Sequence, residues 1–539
     1  MPTRSLARGL CAVPGFVLLA CLLRLAFAPF GLVLAEDGFG YLVKAREIAG
    51  GDLLPMSTHA IGWPLALAPF VGMAGGTHEA GTMAIARLVS IAAGTAILLP
   101  LARLARELVD PASMRLALLF TAVSAVLITS AWSAMAEPLF TLLLVGAVAS
   151  MVWARGAART PWWAGALAGL AWWVRPHGLL AAFALVLAAA TERREGERLA
   201  APLRRAAAVG LVACAVAAPA AIQRHAAFGS PLTFGANDKI LLAAEKEHVW
   251  SPNVPVVSLR DFLGSMTPGR AFDRFVVDGA GRVAVQFTLY VATPLLVPFV
   301  LAAAWRRRHD PAFRPVLVVT GVWLAGVAGL AGVGTRHLYP IAPLALLMAA
   351  DGVRAAAARS RVRPAVVAAF VVVIVAQSLV TAAWHRHRET AAEVADAVEW
   401  GRWAAGHVRG RLAIVEGSAF VMMHVPDTKV AGVGLMDLYA PATGLSVVRP
   451  GTFDTLAQAM AWMRSAGVTH LAVDDLNIER RPYLKAVRDP AARPGCLRLV
   501  YSNEATAIAW RQRIFEIRWR ECDSCEVSAQ SFRRSSDPR

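Results

Sequence analysis

PAVVAAFVVVIVAQSLVTAAW, residues 364–384, contains no charged side chain and can cross a bilayer as one helix. A helix needs about 20 predominantly apolar residues to span the hydrocarbon core. Similar runs recur from residue 11 onward, and the sequence therefore predicts a polytopic α-helical membrane protein with about eleven transmembrane helices. The predicted spans are 11–34, 81–102, 115–132, 137–154, 162–174, 178–190, 206–222, 283–304, 314–333, 337–351 and 364–384.

The composition supports this class. Of 539 residues, 57% are hydrophobic and only 17% are charged, with a mean hydropathy of +0.52. A soluble protein of this length needs a more polar surface. The first run follows Arg4 and Arg8 as a signal peptide would, but it is too long, contains Arg24 and lacks a convincing cleavage pattern. We predict that it is the first transmembrane helix.

The net charge of +17 comes from arginines in every second short loop, which is typical of cytoplasmic loops and not of a nucleic-acid site. The pattern predicts a multi-pass protein of the plasma (inner) membrane with a cytoplasmic N-terminus. It also favours two helices over one broken helix for 162–174 and 178–190. The long loops 35–80 and 223–282, and all residues after Trp384, are then extracytoplasmic.

The pattern after residue 384 alternates between amphipathic helices and short apolar strands. We predict a transmembrane module over 1–384, a small C-terminal α/β extracytoplasmic domain over 385–522, and a disordered tail over 523–539. Cys496, Cys522 and Cys525 favour one disulfide over a metal site. The predicted helices are 389–408 and 452–466, and the predicted strands are 411–415, 467–473, 498–501, 507–510 and 514–519.

Unusual polar residues gather at the predicted outer ends of the helices. Ionisable groups at helix ends that face a common space indicate a functional site. Taken singly, an arginine can snorkel to the headgroups, Glu137 can cap a helix, and Asp37 can be an exposed loop carboxylate. Their position on one side favours a shared site. The residues are Glu36, Asp37, Glu137, Arg175, His177, Arg336, His337 and Tyr339.

Several motifs resemble the GT-C glycosyltransferases, which are polytopic enzymes related to the protein O-mannosyltransferases and the lipid A aminoarabinose transferases. The resemblance covers about residues 10–384. Two departures exist: the acidic pair is Glu36-Asp37 where many relatives have Asp-Glu, and Trp63-Pro64 stands where relatives often have two prolines. The motifs are Glu36-Asp37-Gly38-Phe39-Gly40-Tyr41-Leu42, Gly62-Trp63-Pro64, Ala86-Arg87-Leu88-Val89-Ser90, Ala136-Glu137-Pro138, Val174-Arg175-Pro176-His177-Gly178 and Thr335-Arg336-His337-Leu338-Tyr339-Pro340.

The resemblance implies a sugar transfer from a polyprenyl-phosphate donor to an extracytoplasmic lipid, glycan or protein acceptor, with inversion. It makes Asp37 the general base and Glu36 the runner-up. It assigns the donor phosphate to cationic and imidazole side chains and the remaining substrate contacts to neighbouring polar groups. These are Arg175, Arg336, His177 and His337 for the phosphate, and Glu137, Tyr339 and His59 for the substrate.

The residues offer no firm metal-ligand set, so no cofactor is assigned and a divalent metal stays open. The loop 223–282 either covers the acceptor or is inert. The alternative function is a transporter or flippase of lipid-linked sugars, which predicts mid-membrane ionisable groups and repeated halves. A membrane-anchored binding protein is a third possibility, although it needs only one or a few spans.

Overall fold

The computed structural model contains many apolar helices and, among its described residues, a small sheet. Five helices are long and apolar enough to cross a membrane, or seven if two bent pairs each form one span, counted over the residues that the structure describes. The multi-pass helical class is confirmed, whereas the number of eleven spans stays a prediction. The structure describes residues 13–30, 36–52, 60–73, 80–157, 159–192, 197–198, 200–228, 231, 264–330, 335–391, 403–404, 406–414, 430–432, 455–475, 478, 482–506 and 511–524.

The described residues of the membrane part form sixteen helical segments, which we number α1 to α16 in chain order. They are α1 Val13–Phe27, α2 Glu36–Ala49, α3 Gly62–Met73, α4 Ala80–Ala96, α5 Leu98–Leu108, α6 Pro111–Val123, α7 Ala125–Trp132, α8 Glu137–Gly156, α9 Trp162–Val174, α10 Gly178–Thr191, α11 Ala200–Phe228, α12 Pro268–Val291, α13 Thr293–Arg307, α14 Arg314–Ala328, α15 Ala342–Arg359 and α16 Pro364–Ala391. Two 3₁₀ turns, Thr335–His337 and Tyr339–Ile341, lead into α15.

Two sequence predictions in this part are wrong. The predicted span 283–304 is broken, because α12 and α13 meet at an angle of 112°. Thr293 adopts a φ of +58° and precedes Pro294, which disfavours helical geometry at the residue before it. The predicted loop 35–80 also contains two helices, α2 and α3. The apolar residues of α3 are buried against the bundle, as Trp63 and Leu67 show.

Ion pairs join several helix ends on one side of the bundle. Arg307 at the end of α13 contacts the Asp351 carboxylate in α15 at 3.1 Å, and Arg306 contacts the same carboxylate. Asp351 is only 3% exposed. A buried carboxylate is stable only when it is paired, so these contacts fix α13 against α15.

Further contacts on this side join α8, α10 and α14. Arg155 at the end of α8 donates to the carbonyl of Pro311 at 2.6 Å. Arg314 at the start of α14 donates to the carbonyl of Thr191 at the end of α10. These bonds and the Asp351 pairs bring together the arginine-rich ends of the helices. We call this side of the bundle, defined by Arg155, Thr191, Arg307, Arg314 and Asp351, the basic face.

The C-terminal part contains a five-stranded sheet of order β2-β1-β3-β5-β4. Strand β1 pairs in parallel with β2 and β3, while β5 lies antiparallel between β3 and β4. Its elements are β1 Arg411–Ile414, β2 Val430–Gly432, α17 Leu456–Ser465, β3 Val468–Asp474, α18 Lys485–Arg488, β4 Leu497–Ser502, β5 Gln512–Ile517 and α19 Trp519–Ser524. Phe515, Leu471 and Met463 are buried in its core.

Most of the predicted C-terminal elements lie close to the observed ones. A disulfide joins Cys496 to Cys522, with their Cα atoms 5.1 Å apart, so the prediction of one disulfide is confirmed. The predicted strand 514–519 ends earlier, because Trp519 begins α19. The predicted strand 507–510, Cys525, most of the predicted helix 389–408 and nearly all of the predicted tail lie outside the described residues.

The basic face predicts a stability effect at Asp351. The substitution Asp351→Leu removes the carboxylate that Arg306 and Arg307 share, and Arg307 keeps its pair with Asp310 at 2.9 Å. Both arginines are partly exposed, so we expect a loss of about 1–3 kcal/mol in unfolding free energy, which is less than for a fully buried pair.

The measurement is chemical denaturation in mixed micelles. The control is Glu107→Ala, which removes an exposed carboxylate 3.9 Å from Arg103 and should cost less than about 0.5 kcal/mol. Equal stability of Asp351→Leu and wild type would show that the pairs do not hold the basic face together.

Candidate functional site

An ion pair on the opposite side of the bundle joins the turn after α9 to the start of α8. Arg175 ends α9 in an extended conformation, and its guanidinium contacts the Glu137 carboxylate. Glu137 is 3% exposed and its second oxygen, Oε2, is buried without a hydrogen-bond partner in the described part of the chain. The carboxylate therefore holds Arg175 while keeping one acceptor atom available.

The turn that carries Arg175 also places His177 next to the segment before α15. The ring centroids of His177 and His337 are 5.3 Å apart. Trp323 of α14 lies beneath both, with its ring centroid 6.0 Å from that of His177 and its indole N–H donating to the His337 carbonyl at 2.8 Å. Both ring nitrogens of His177 are buried and lack a partner among the residues described.

The electrostatics of His177 show that both predicted phosphate-binding arginines lie near it. His177 occupies the turn between α9 and α10, outside both helices. Burial holds the pKa of its ring well below the usual 6.5, and the electrostatic effects of nearby Arg175, His337 and Arg336 lower that pKa further. The imidazole is therefore neutral at pH 7, so it can donate one hydrogen bond and accept another.

The structure thus brings together five of the predicted site residues, on three separate segments of the chain. They are Glu137, Arg175, His177, Arg336 and His337, and we call them the outer cluster. Tyr339 begins the 3₁₀ turn that packs against α8. The side chains of Glu36 and Asp37, and all of His59, lie outside the described residues, although α2 begins at Glu36.

Close backbone packing fixes the turn that carries Arg175 and His177. The N–H of Gly178 donates to the Arg175 carbonyl at 2.9 Å. A Cβ on Gly178 would lie 2.2 Å from the backbone nitrogen of Trp172, and a Cβ on Gly62 would lie 2.6 Å from the Trp173 carbonyl. Only glycine fits at such distances. The two glycines let the turn fold back on α9 and let α3 pack against it.

The turn before Glu137 is held by two buried donors that the sequence argument did not assign. The indole N–H of Trp63 donates to the Ala134 carbonyl at 2.8 Å, and Arg87 Nε donates to the Trp132 carbonyl at 3.1 Å. Ala134 has a φ of +55°, which is unfavourable for a residue with a Cβ. The donors stabilise this turn and thereby the position of Glu137. Both residues lie in the sequence motifs that resemble the GT-C glycosyltransferases, and this position could have identified them as part of the site.

No group of three or more His, Cys, Asp or Glu side chains suited to a metal ion occurs among the residues that the structure describes. The cluster instead offers two guanidinium groups, two imidazoles and one carboxylate oxygen. Guanidinium groups bind phosphate oxygens in bidentate fashion. The arrangement can therefore hold an anionic group at the helix ends.

Comparisons with known proteins identify structures with a similar fold. No protein-family model and no curated protein sequence matches the chain. Its fold is similar to that of apo ArnT from Cupriavidus metallidurans, with a TM-score of 0.60 and 12% identity over 95% of this chain and 98% of ArnT. It is also similar to ArnT bound to undecaprenyl phosphate, with a TM-score of 0.57 and 13% identity over 93% of this chain and 97% of ArnT.

A third similar structure is the Archaeoglobus fulgidus oligosaccharyltransferase tethered to an acceptor peptide. The TM-score is 0.57 and the identity 12%, over 92% of this chain and 74% of that protein. These neighbours are GT-C glycosyltransferases. This chain has the GT-C fold. The fold expected from the motifs is therefore confirmed. Sequence identities this low do not establish an activity.

The buried imidazole predicts an acid-sensitive stability. The pKa of His177 in the folded protein lies below 6.5, its value in the unfolded chain. Its neutral form therefore favours folding above pH 6.5, and this contribution is lost as the pH falls below 6.5, by at most about 1.4 kcal/mol per pH unit. Melting temperatures are measured from pH 7.5 to 5.0. We expect the melting temperature to decrease at pH values below 6.5, and this decrease to be smaller in His177→Asn.

The matched control is His309→Asn, because His309 is exposed beside the basic face. This variant should keep the acid sensitivity of the wild type. An unchanged pH profile in His177→Asn would mean that the ring is not buried in its neutral form.

Proposed function

We propose that this chain is a membrane glycosyltransferase that moves a sugar from a polyprenyl-phosphate donor to an extracytoplasmic acceptor, with inversion at the anomeric carbon. The observation that carries the proposal is the outer cluster, in which Arg175, Arg336, His177 and His337 converge at the helix ends opposite the basic face. A lipid phosphate in a membrane lies at this level, with its chain among the apolar helices.

The cluster is suited to a phosphate leaving group. Negative charge develops on the phosphate oxygens as the bond to the sugar breaks, and fixed cations stabilise it. Glu137 orients Arg175, and the neutral His177 donates a hydrogen bond. Two of the similar structures contain such lipids: ArnT was solved with undecaprenyl phosphate and the archaeal oligosaccharyltransferase with dolichol phosphate.

The nucleophile would be an acceptor hydroxyl activated by Asp37, with Glu36 as the runner-up base. The hydroxyl oxygen forms a bond to the anomeric carbon, the bond to the phosphate oxygen breaks, and the proton passes to the carboxylate. Helix α2, which begins at Glu36, packs on α3, and Gly62 of α3 contacts the backbone just before Arg175. This packing supports placing the acidic pair beside the cluster.

The basic face supports a glycosyltransferase over a flippase. A path through the bundle would have to open the contacts of Arg306 and Arg307 with Asp351 and of Arg155 with Pro311. We therefore propose that the substrates reach the outer cluster from the side opposite the basic face. We also propose that the basic face is cytoplasmic, that the membrane is the plasma membrane, and that the outer cluster and the C-terminal domain are extracytoplasmic.

The direct test is sugar transfer by purified protein in nanodiscs supplied with a labelled polyprenyl-phosphate sugar and lipid, glycan or peptide acceptors. Removing a general base typically costs 10²–10⁴-fold in rate, so we expect about that loss in kcat for Asp37→Asn. Replacing one phosphate-binding arginine in Arg336→Gln should lower kcat/KM by about 10- to 100-fold, the range of a charge-assisted hydrogen bond.

Two controls make the test specific. Asp273→Asn removes an exposed carboxylate of α12, and Arg361→Gln removes an exposed arginine near the basic face. Both should keep wild-type kinetics. Equal transfer by wild type and Asp37→Asn would exclude Asp37 as the base. Movement of the lipid-linked sugar across the membrane, without transfer to any acceptor, would favour the flippase.

A further inference from the structure

A polar cleft lies in the apolar part of the bundle, away from the outer cluster. Its cavity volume is about 20 Å³, which is room for about one hydroxyl group or water molecule. It lies where the two bent helix pairs, α6/α7 and α12/α13, meet α15 and α16. Its walls are largely aliphatic and aromatic. Six polar side chains also line it: Ser124, Tyr290, Thr293, Gln377, Ser378 and Thr381.

Two of these side chains have unsatisfied polar atoms. Gln377 Oε1 and Thr293 Oγ1 are buried and have no hydrogen-bond partner among the described residues. Ser378, beside Gln377, is only 6% exposed. Buried polar atoms in proteins are almost always hydrogen-bonded, and an unpartnered one is costly in an apolar medium. These atoms therefore require a partner that occupies the cleft.

The chemistry of the lining excludes an anionic partner. None of the side chains described around the cleft carries a charge at neutral pH. A phosphate or carboxylate buried there would lack a counter-charge, which is strongly unfavourable. A hydroxyl group both donates and accepts, so it satisfies the Gln377 amide and the Thr293 hydroxyl in either orientation. The lining thus selects an uncharged ligand that carries hydroxyl groups.

The position of the cleft selects a lipid. Gln377 lies about 20 Å along α16 from its basic end, calculated from the helical rise of 1.5 Å per residue. In α16, 17% of the residues in its most apolar 18-residue stretch are buried, the lowest share among the membrane-length helices described. The outer side of α16 therefore faces the bilayer. Leu289 and Tyr290 in the cleft wall are 51% and 38% exposed. A ligand can therefore enter sideways from the membrane.

We propose that this cleft takes up the hydroxyl group of an uncharged membrane lipid whose chains lie along α16, with the rest of the lipid remaining in the bilayer. The diacylglycerol class has this chemistry, with one hydroxyl beside two ester groups. The site is independent of the proposed sugar transfer, because no residue of the outer cluster lines the cleft.

The test uses the whole protein in phosphatidylcholine nanodiscs that contain equal traces of dioleoylglycerol and dioleoyl phosphatidic acid, with retained lipid measured by native mass spectrometry. We expect the wild type to retain dioleoylglycerol at least about fivefold over phosphatidic acid, as one satisfied buried hydrogen bond would give. Gln377→Leu and Ser378→Leu, which remove a polar group and fill the cleft, should abolish this preference.

The matched control is Val372→Leu, which adds volume on the exposed side of the same helix and should retain the preference. A second arm needs no variant: dioleoylglycerol with an acetylated hydroxyl should bind the wild type no better than phosphatidylcholine. Equal retention of phosphatidic acid, full binding of the acetylated lipid, or retention of no added lipid would overturn the proposal; the last result would leave water as the occupant.

Discussion

The fold depends on how charged side chains are placed in the bilayer, and the ion pair between Arg175 and Glu137 is the main example. An ionised side chain is costly in a bilayer unless it is paired or reaches water, so charged groups must lie at helix ends or in satisfied contacts. Glu137 begins α8 and Arg175 ends α9, and their contact joins the two helices at one end. The glycines at 62 and 178 allow the close approach that this contact requires.

The two sides of the bundle meet this constraint in different ways. On the basic face, both oxygens of Asp351 contact arginines, and the contacts serve to hold helix ends together. On the opposite side, Glu137 Oε2 and both ring nitrogens of His177 have no partner among the described residues. Polar groups that are placed by the fold but not satisfied by it are what a binding site requires.

The sequence was sufficient to predict the helical membrane class and the five residues of the outer cluster, since these depend on hydropathy and on which residues flank the apolar runs. It was insufficient for features that depend on packing. Pro294 is compatible with the break between α12 and α13, but the apolar run 283–304, taken alone, predicted one continuous span. Trp323, beneath His177 and His337, lies in an ordinary apolar run, and no local pattern distinguishes it from a core residue.

The most direct test of the central claim is an experimental structure of the protein in nanodiscs with bound undecaprenyl phosphate. We expect the phosphate at the outer cluster, within hydrogen-bond distance of Arg175 or Arg336 and on the side opposite Asp351. A phosphate bound at the basic face, or Arg175 and Arg336 on separate surfaces that face lipid, would contradict it.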